Sequence, residues 1–336
     1  MTTQAFPSTE KKNELQRAFY KTWYVRFNDP ATQKALWLRF TVLSSANGFR
    51  RVSEVWGLFF HRLPNKEVKK VAIKQSYPLE NFLASGQANI RIGECELLPQ
   101  QTRGTIQSKG QSIQWDLQFI EARENSVRFV PEFLSKTKLV KNSIITLCEE
   151  TLFSGTVKIN GETHTWREAP GMQGYMDGTK SSHSWVWGHC NTFLNEQGKQ
   201  TPFIFEGFST KAQLGPLLSP KLSSLYFFYN NENYHFNNLK NAIYVKTKNS
   251  LNEWDFQADQ DDLSFRGHAR AEHKDFAGLT YEDTNGSLLY CSNSELAEMT
   301  IHVYRRGKLE ATFHAPGTAA LEIVSREKNP YVPILI

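Results

Sequence analysis

Along most of the chain, apolar and polar positions alternate with period two, in short runs broken by Asn, Asp, Gly and Pro. That period is the mark of strands with one face buried. The first run, 20–27, stops at Asn28-Asp29-Pro30, a strong turn signal. Further runs cover 35–42, 54–61, 71–75, 88–92, 104–108 and 112–119. After an irregular stretch around Pro131, strands resume at 155–159, and Asn160-Gly161 turns into 162–166, the dipeptide most typical of a two-residue hairpin. The second half reads the same way, at 184–189, 202–207, 224–229, 242–246, 252–258, 263–271, 288–291, 299–304, 310–314 and 320–324. The polar residues 1–16 predict either a frayed arm or one short helix over 10–19, and 294–299 a single helical turn. No long amphipathic helix is predicted, which leaves an all-β fold.

At 336 residues the chain suits two domains. Trp115-Asp116-Leu117-Gln118 is echoed by Trp254-Asp255-Phe256-Gln257, one copy deep in each half. The echo points to a duplicated barrel, with domains expected at 1–170 and 171–336 and the boundary anywhere from 150 to 195. Aromatic residues are abundant, 23 Phe, 12 Tyr and 8 Trp. They suit pleated surfaces and also line apolar ligand cavities.

The net charge of +5 is mild and the cations are interspersed with acids, so no nucleic-acid partner is expected. The first residues lack the apolar core of a secretory signal, and no run approaches a membrane-spanning length. The four cysteines, at 95, 148, 190 and 291, form no CxxC pair, as expected of free thiols in a reducing compartment. A cytoplasmic protein is the expectation.

Candidate chemistry concentrates in 171–191, which reads as a glycine-rich loop followed by a strand. Tyr175, Asp177 and His183 fall in the loop; Trp185, Trp187 and His189 share one face of the strand. A carboxylate beside imidazoles is an acid–base kit, and the indoles would stack on a ligand. The competing reading is a turn Asp and core aromatics. In the first half, Arg26, Trp37, Arg39, Glu54 and Trp56 group on strand faces. Either that face points inward, and its charges must be paired while anchoring a polar head, or it faces solvent on a one-sided sheet. Ser264, Arg266, His268, Arg270 and Glu272 predict a solvated exterior. The nine histidines show no HExxH-like metal spacing, and no GxSxG elbow or phosphate-binding loop is present.

The chain resembles the two-domain lipocalin-like superfamily of AttH-type proteins, carotenoid hydratases (hydroxyneurosporene synthases), tocopherol cyclases and lipocalin-like Diels–Alderases. The likeness is carried by 19–24 with Asn28-Asp29-Pro30, by 35–39, Trp56-Gly57 and 113–119, and then by 155–161, the glycine stretch and 185–189. It ends in 290–293 and Ala320-Leu321-Glu322. It implies two lipocalin-like antiparallel β-barrels packed together, an isoprenoid- or polyketide-type ligand, and cofactor-free chemistry by proton donation and substrate folding. Carotenoid hydratases carry an Asp-His-Asn-Trp-Gly-like run after the glycines; here Asp177 matches and its neighbours do not.

Three functions follow from this reading. The first is an isomerase, cyclase or hydratase with Asp177 as proton donor, His183 or His189 as its partner, and the apolar ligand held in a barrel cavity. The second is a non-catalytic carrier of a hydrophobic molecule. The third is an interaction module whose barrels are filled by their own aromatics.

Overall fold

The computed structural model describes residues 18–85, 89–123, 126–129, 142–214, 217–237 and 245–336. The first half contributes strands β1 (Phe19–Asp29), β2 (Lys34–Ser44), β3 (Arg51–Arg62), β4 (Val68–Pro78), β5 (Phe82–Ala84), β6 (Ile90–Ile92), β7 (Cys95–Leu98), β8 (Gln101–Ser108), β9 (Gln111–Arg123), β10 (Val127–Arg128), β11 (Asn142–Ile159) and β12 (Glu162–Gly178). The second half contributes β13 (Ser184–Cys190), β14 (Ile204–Lys211), β15 (Gln213–Leu214), β16 (Leu217–Leu218), β17 (Leu222–Tyr229), β18 (Glu232–Phe236), β19 (Val245–Asn249), β20 (Glu253–Gln260), β21 (Leu263–Arg270), β22 (Ala277–Glu282), β23 (Leu288–Arg305) and β24 (Lys308–Ser325). Apart from two short 3-10 turns at Leu79–Asn81 and His273–Asp275, the described elements are strands. The expected helix at 10–19 and the irregular stretch at Pro131 fall mostly or wholly outside the described residues; Phe19 opens β1.

Two antiparallel sheets repeat one topology. The first runs β4-β3-β2-β1-β12-β11-β9-β8-β7-β6-β5 with β10 beside β11; the second runs β18-β17-β14-β13-β24-β23-β21-β20-β19 with β22 beside β23. Each therefore has a four-strand meander, a long hairpin (β11–β12, β23–β24) and a shorter one (β8–β9, β20–β21). The chain passes from one sheet to the other between Gly178 and Ser184. Both sheets curl so that distant strands meet. The Gln107 amide on β8 donates to Gln75 Oε1 on β4 (2.9 Å), and the hydroxyls of Ser223 on β17 and Thr247 on β19 are bonded at 3.0 Å. This is the two-barrel lipocalin-like architecture.

The Trp-Asp echo does not mark equivalent strands: Trp115 lies on β9, the second strand of its hairpin, and Trp254 on β20, the first of its own. The duplication shows instead in the strand order. Three sequence expectations are corrected. Residues 294–299 are strand, interrupted by register shifts between Ser294 and Ala297 and between Ala297 and Met299, and such bulges imitate a helical break in the pattern. Residues 288–305 and 308–325, expected as four short strands, are two long ones. The glycine-rich segment 171–178 is not a loop but the second half of β12. A Cβ at Gly171 would sit 2.0 Å from the Arg26 carbonyl oxygen, and one at Gly174 would sit 2.1 Å from the Tyr24 ring. These glycines let neighbours approach closely within the sheet.

Each barrel interior is packed with its own aromatics. In the first, Phe27 stacks on Phe153 (4.7 Å) and meets Trp166 edge-on (4.8 Å). In the second, Phe203 stacks on Phe313 (4.0 Å), Phe227 on Phe265 (4.2 Å) and Phe205 on Phe256 (4.3 Å). Gly104 and Gly267 make room for rings, since a Cβ at either would lie 2.6 Å from Trp115 or 2.1 Å from Phe256.

A third apolar cluster draws on both sheets and lies between them, with Tyr24, Trp37, Trp56, Met172, Trp187, Phe208, Tyr226 and Tyr281 among its members. Strands β1–β3 are consequently buried on both faces. Neither earlier option for the Arg–Trp face was right: it points neither into a barrel nor into solvent, but onto the other barrel. The sheets meet on equivalent strands. Tyr24 of β1 packs edge-on against Trp187 of β13 (6.0 Å), and Arg26 of β1 bonds His189 of β13. The packing is that of an isologous dimer contained in one chain.

Candidate functional site

Cross-strand register sets the wall contributed by the first barrel. Tyr24, Arg39, Trp56 and Lys74 line up across β1–β4, beside a row of Thr22, Thr41, Glu54 and Ser76. Cross-strand partners share a face, so both rows present to the second barrel. Opposite, Glu322, Trp187 and Phe208 line up across β24, β13 and β14. The walls part into a narrow open cleft lined by Tyr20, Thr41, Glu54, Ile144, Met176, Ser182, Trp185, Tyr281 and Glu322 among others. It continues inward past Tyr24, Trp37 and Trp187.

Arg39 lies at the centre of the cleft's polar lining. Its guanidinium carbon is 4.2 Å from the Tyr281 ring centre, 5.4 Å from Trp56 and 5.9 Å from Trp37. Its Nε donates to Thr41 Oγ1 (2.9 Å) and its Nη2 to Thr22 Oγ1 (3.4 Å). Among the described residues no carboxylate lies within 4 Å of it. Cation–π contact stabilises such a group without neutralising it. Lys74 sits on the same indole, 4.5 Å from the Trp56 ring centre.

Glu322 faces this cation. Its Oε1 accepts from Trp185 Nε1 (2.8 Å), and its Oε2 accepts from the Tyr281 hydroxyl (3.0 Å) and Asn293 Nδ2 (3.4 Å). Burial, with Glu322 nearby, pushes the Tyr281 phenol well above its ordinary range, so its proton stays on the oxygen. Glu54, also in the cleft, accepts from Ser76 Oγ (2.9 Å) and pairs with Arg50 (3.4 Å).

Deeper in the interface, a second set of charges is closed. Arg26 and Glu295 are both fully buried, with Arg26 Nε donating to Glu295 Oε2 at 2.6 Å. Arg26 also donates to Asn28 Oδ1, to the Thr318 carbonyl (3.4 Å) and to His189 Nδ1 (3.1 Å). Arginine cannot accept, so His189 Nδ1 is the acceptor and its proton is on Nε2, which donates to the Glu149 carbonyl (3.3 Å). Burial and the neighbouring Arg26 push the His189 pKa well below the usual imidazole value. Behind Trp187, Glu206 accepts from Trp187 Nε1 (2.9 Å) and Thr146 Oγ1 (2.6 Å). Burial raises its pKa to about 7 against those two bonds.

Of the residues singled out from sequence, Trp37, Arg39, Glu54, Trp56, Trp185 and Trp187 converge on the cleft. Arg26 and His189 lie beneath it, bonded to each other. Tyr175 and Asp177 are not brought in. Their neighbour Met176 lines the cleft, so alternation turns both toward the first barrel, where Tyr175 meets Trp23 (5.3 Å) and Asp177 is paired across the sheet with Lys21. Burial does raise the Asp177 pKa, with Lys21 opposing. His183 is in the link between the sheets, its amide donating to the Lys211 carbonyl, and burial with Arg326 and Lys211 lowers its pKa. Among the cleft residues that were not sequence candidates, Glu322 and Tyr281 bear most on Arg39. Glu322 could have been noticed as a lone carboxylate in the apolar run 319–324; Tyr281 carried no signal. Among the described residues no group of three His, Cys, Asp or Glu is placed to hold a metal ion, and the four cysteines are unpaired and buried.

The fold is that of the two-barrel lipocalin-like proteins. Within that class the chain is similar to a protein of Nitrosomonas europaea provisionally designated AttH (TM-score 0.50, 10% identity, covering 97% of this chain and 98% of that one). It is also similar to kievitone hydratase from Nectria haematococca (TM-score 0.52, 11% identity, covering 91% and 88%). At such identities the likeness is one of fold. No family model and no curated protein matches the sequence.

Proposed function

We propose that the cleft between the barrels binds a flat, largely apolar metabolite carrying a conjugated oxygen, and that the protein adds water to it or rearranges it without a cofactor. The observation that carries this reading is Arg39: a guanidinium among three aromatic rings, with no carboxylate within 4 Å among the described residues, facing Glu322, which is held by the Tyr281 hydroxyl. A ligand ring would stack among Trp37, Trp56 and Trp185 while its carbonyl or phenolate oxygen accepts from Arg39.

The chemistry follows from that placement. Held on Arg39, the oxygen of a conjugated carbonyl can take up negative charge as a nucleophile adds to the distal alkene carbon. Glu322 takes a proton from water as its oxygen bonds to that carbon, and the acid so formed returns the proton to the carbon next to the carbonyl. One carboxylate thus serves both halves of a hydration, and the same pair would run the reverse or an isomerisation. The hydratase among the structural neighbours is consistent with this class of reaction. Asp177, the donor expected from sequence, has a raised pKa but lies on the far face of β12. A non-catalytic carrier would use the same cleft without needing Glu322.

The test is incubation with conjugated aromatic and isoprenoid ketones in ¹⁸O-labelled water, followed by mass spectrometry. Hydration adds one labelled oxygen and two hydrogens, and Glu322→Gln should abolish it while Asp177→Asn should not. Binding without conversion in wild type would reduce the protein to a carrier, and activity in Glu322→Gln would remove Glu322 from the reaction.

A further inference from the structure

The end of β12 and the link that follows it build the outer part of the cleft. Gly178 is paired with Tyr20 of β1 on one side and with Asn142 of β11 on the other. Cross-strand partners share a face, and Tyr20 and Asn142 both line the cleft mouth. With no side chain between them, the two meet across the glycine, and the Asn142 side chain is bonded to the Tyr20 phenol. One row further in, Met176 occupies the matching place between Thr22 and Ile144. The sheet is thus filled at Met176 and notched at Gly178, and the notch is polar.

The link supplies a third polar group. Its backbone is tied at three points. The Thr179 carbonyl accepts from Thr284 Oγ1 (2.7 Å), the Ser181 amide donates to Asp283 Oδ1 (2.9 Å), and the His183 amide donates to the Lys211 carbonyl (2.8 Å). Asp283 is itself fully buried and paired with Arg326 at 2.7 Å. So held, Ser182 is 8% exposed, and its Oγ accepts from Asn142 Nδ2 at 3.2 Å. Because Asn142 is the donor, the Ser182 hydroxyl keeps its own proton to give. Burial, with Asp283 and Asp177 nearby, pushes the Tyr20 phenol well above its ordinary range against the Asn142 bond and Arg39, so it too keeps its proton. Tyr20, Asn142 and Ser182 come from three separate elements, and all three are uncharged. The acids at the mouth, Glu54 and Glu282, are both engaged by Arg50 (3.4 and 3.0 Å).

We propose that Tyr20, Asn142 and Ser182 form a second hydrogen-bonding station of the cleft, which takes a neutral hydroxyl on the end of the ligand remote from the oxygen held by Arg39. The ligand is then a flat conjugated ketone hydroxylated at its outer end. Arg39 lines both the mouth and the inner part of the cleft, whereas these three line the mouth alone, so a ligand lying along the cleft reaches both. A hydroxyl can donate to one oxygen of the station while accepting from another, which a carboxylate or an ether cannot do. What the ligand carries at its inner end rests on the function proposed above; the station itself rests on three side chains that meet whatever Arg39 holds.

The experiment compares, by titration calorimetry, the affinities of the full chain for benzylideneacetone and for its 4-hydroxy and 4-methoxy derivatives. The three share one conjugated carbonyl and one ring and differ only at the far end. Wild type should bind the hydroxy compound about tenfold more tightly than the other two, as one well-made hydrogen bond gives. Tyr20→Phe and Ser182→Ala should each cut that preference to less than about threefold; a merely structural loss would weaken all three compounds alike and leave the ratio. Arg39→Leu should weaken all three and keep the ratio. A wild-type ratio near one, or an intact ratio in both station variants, overturns the station and leaves the reading of Arg39 standing. Unchanged affinities in Arg39→Leu, with the ratio lost in Tyr20→Phe and Ser182→Ala, overturn that reading and leave the station. No saturable binding of any of the three compounds overturns both.

Discussion

Two arginines on neighbouring strands of one sheet face, Arg26 and Arg39, look alike in sequence and are opposites in the structure. Arg26 is fully buried, has Glu295 at 2.6 Å, and spends its other donors on Asn28, Thr318 and His189. Arg39 is partly exposed, holds two threonine hydroxyls, and lies over aromatic rings. A buried charge must be paired to be tolerated, so Arg26 is a joint between the barrels. A cation with no acid within 4 Å among the described residues, beside an open cleft, has capacity for a guest. The contrast separates the interface into a part that holds the barrels together and a part that binds.

Breaking each arginine in turn sharpens that contrast. Arg26→Ala strands Glu295 without its partner and should cost about 3–5 kcal/mol, read by urea denaturation; a loss below about 1 kcal/mol would contradict the joint. Gly267→Ala forces a Cβ to within 2.1 Å of the Phe256 ring. It should cost about 1–3 kcal/mol as an overpacked core does, while leaving cleft binding intact; a vacant barrel would absorb the methyl at little cost. Glu206 adds a pH signature. Its folded pKa of about 7 lies above its ordinary 4.5, so the folded state holds the extra proton in between. Its contribution to stability therefore falls as pH rises from about 4.5 to about 7. Glu206→Gln should remove that slope in denaturation series across the window. His189, with its pKa lowered, works oppositely, losing stability as pH falls below 6.5, so Glu206→Gln must be compared with wild type at each pH. Arg39→Leu should have the smallest effect on stability, within about 1 kcal/mol, and the largest on binding.

The strands and their alternation were legible because one-sided burial writes a period of two into the sequence. Long strands were not. Register shifts between Thr146 and Cys148 and between Ser294 and Ala297 break the period inside β11 and β23, so β23 read as two short pieces and only the end of β11, 155–159, read as strand. The glycines of β12 looked like a loop because what they accommodate, Tyr24 and the Arg26 backbone, belongs to a strand distant in sequence. Six cleft residues were found because indoles and arginine clustered on strand faces are unusual. The partner of that face was not visible, since strands buried on both sides by two barrels carry no local mark of the second. Glu322 and Tyr281 reach Arg39 from the other half of the chain, and only the docking of the barrels brings them there.

Four of the eight tryptophans, at 37, 56, 185 and 187, line the cleft, which makes fluorescence titration the most direct measure of the central claim. Flat conjugated ketones should quench wild type saturably, and Arg39→Leu should shift the midpoint at least tenfold with its melting temperature unchanged. Superimposable titrations of the two proteins, or no saturable quenching by any such compound, would contradict a ligand site built on Arg39.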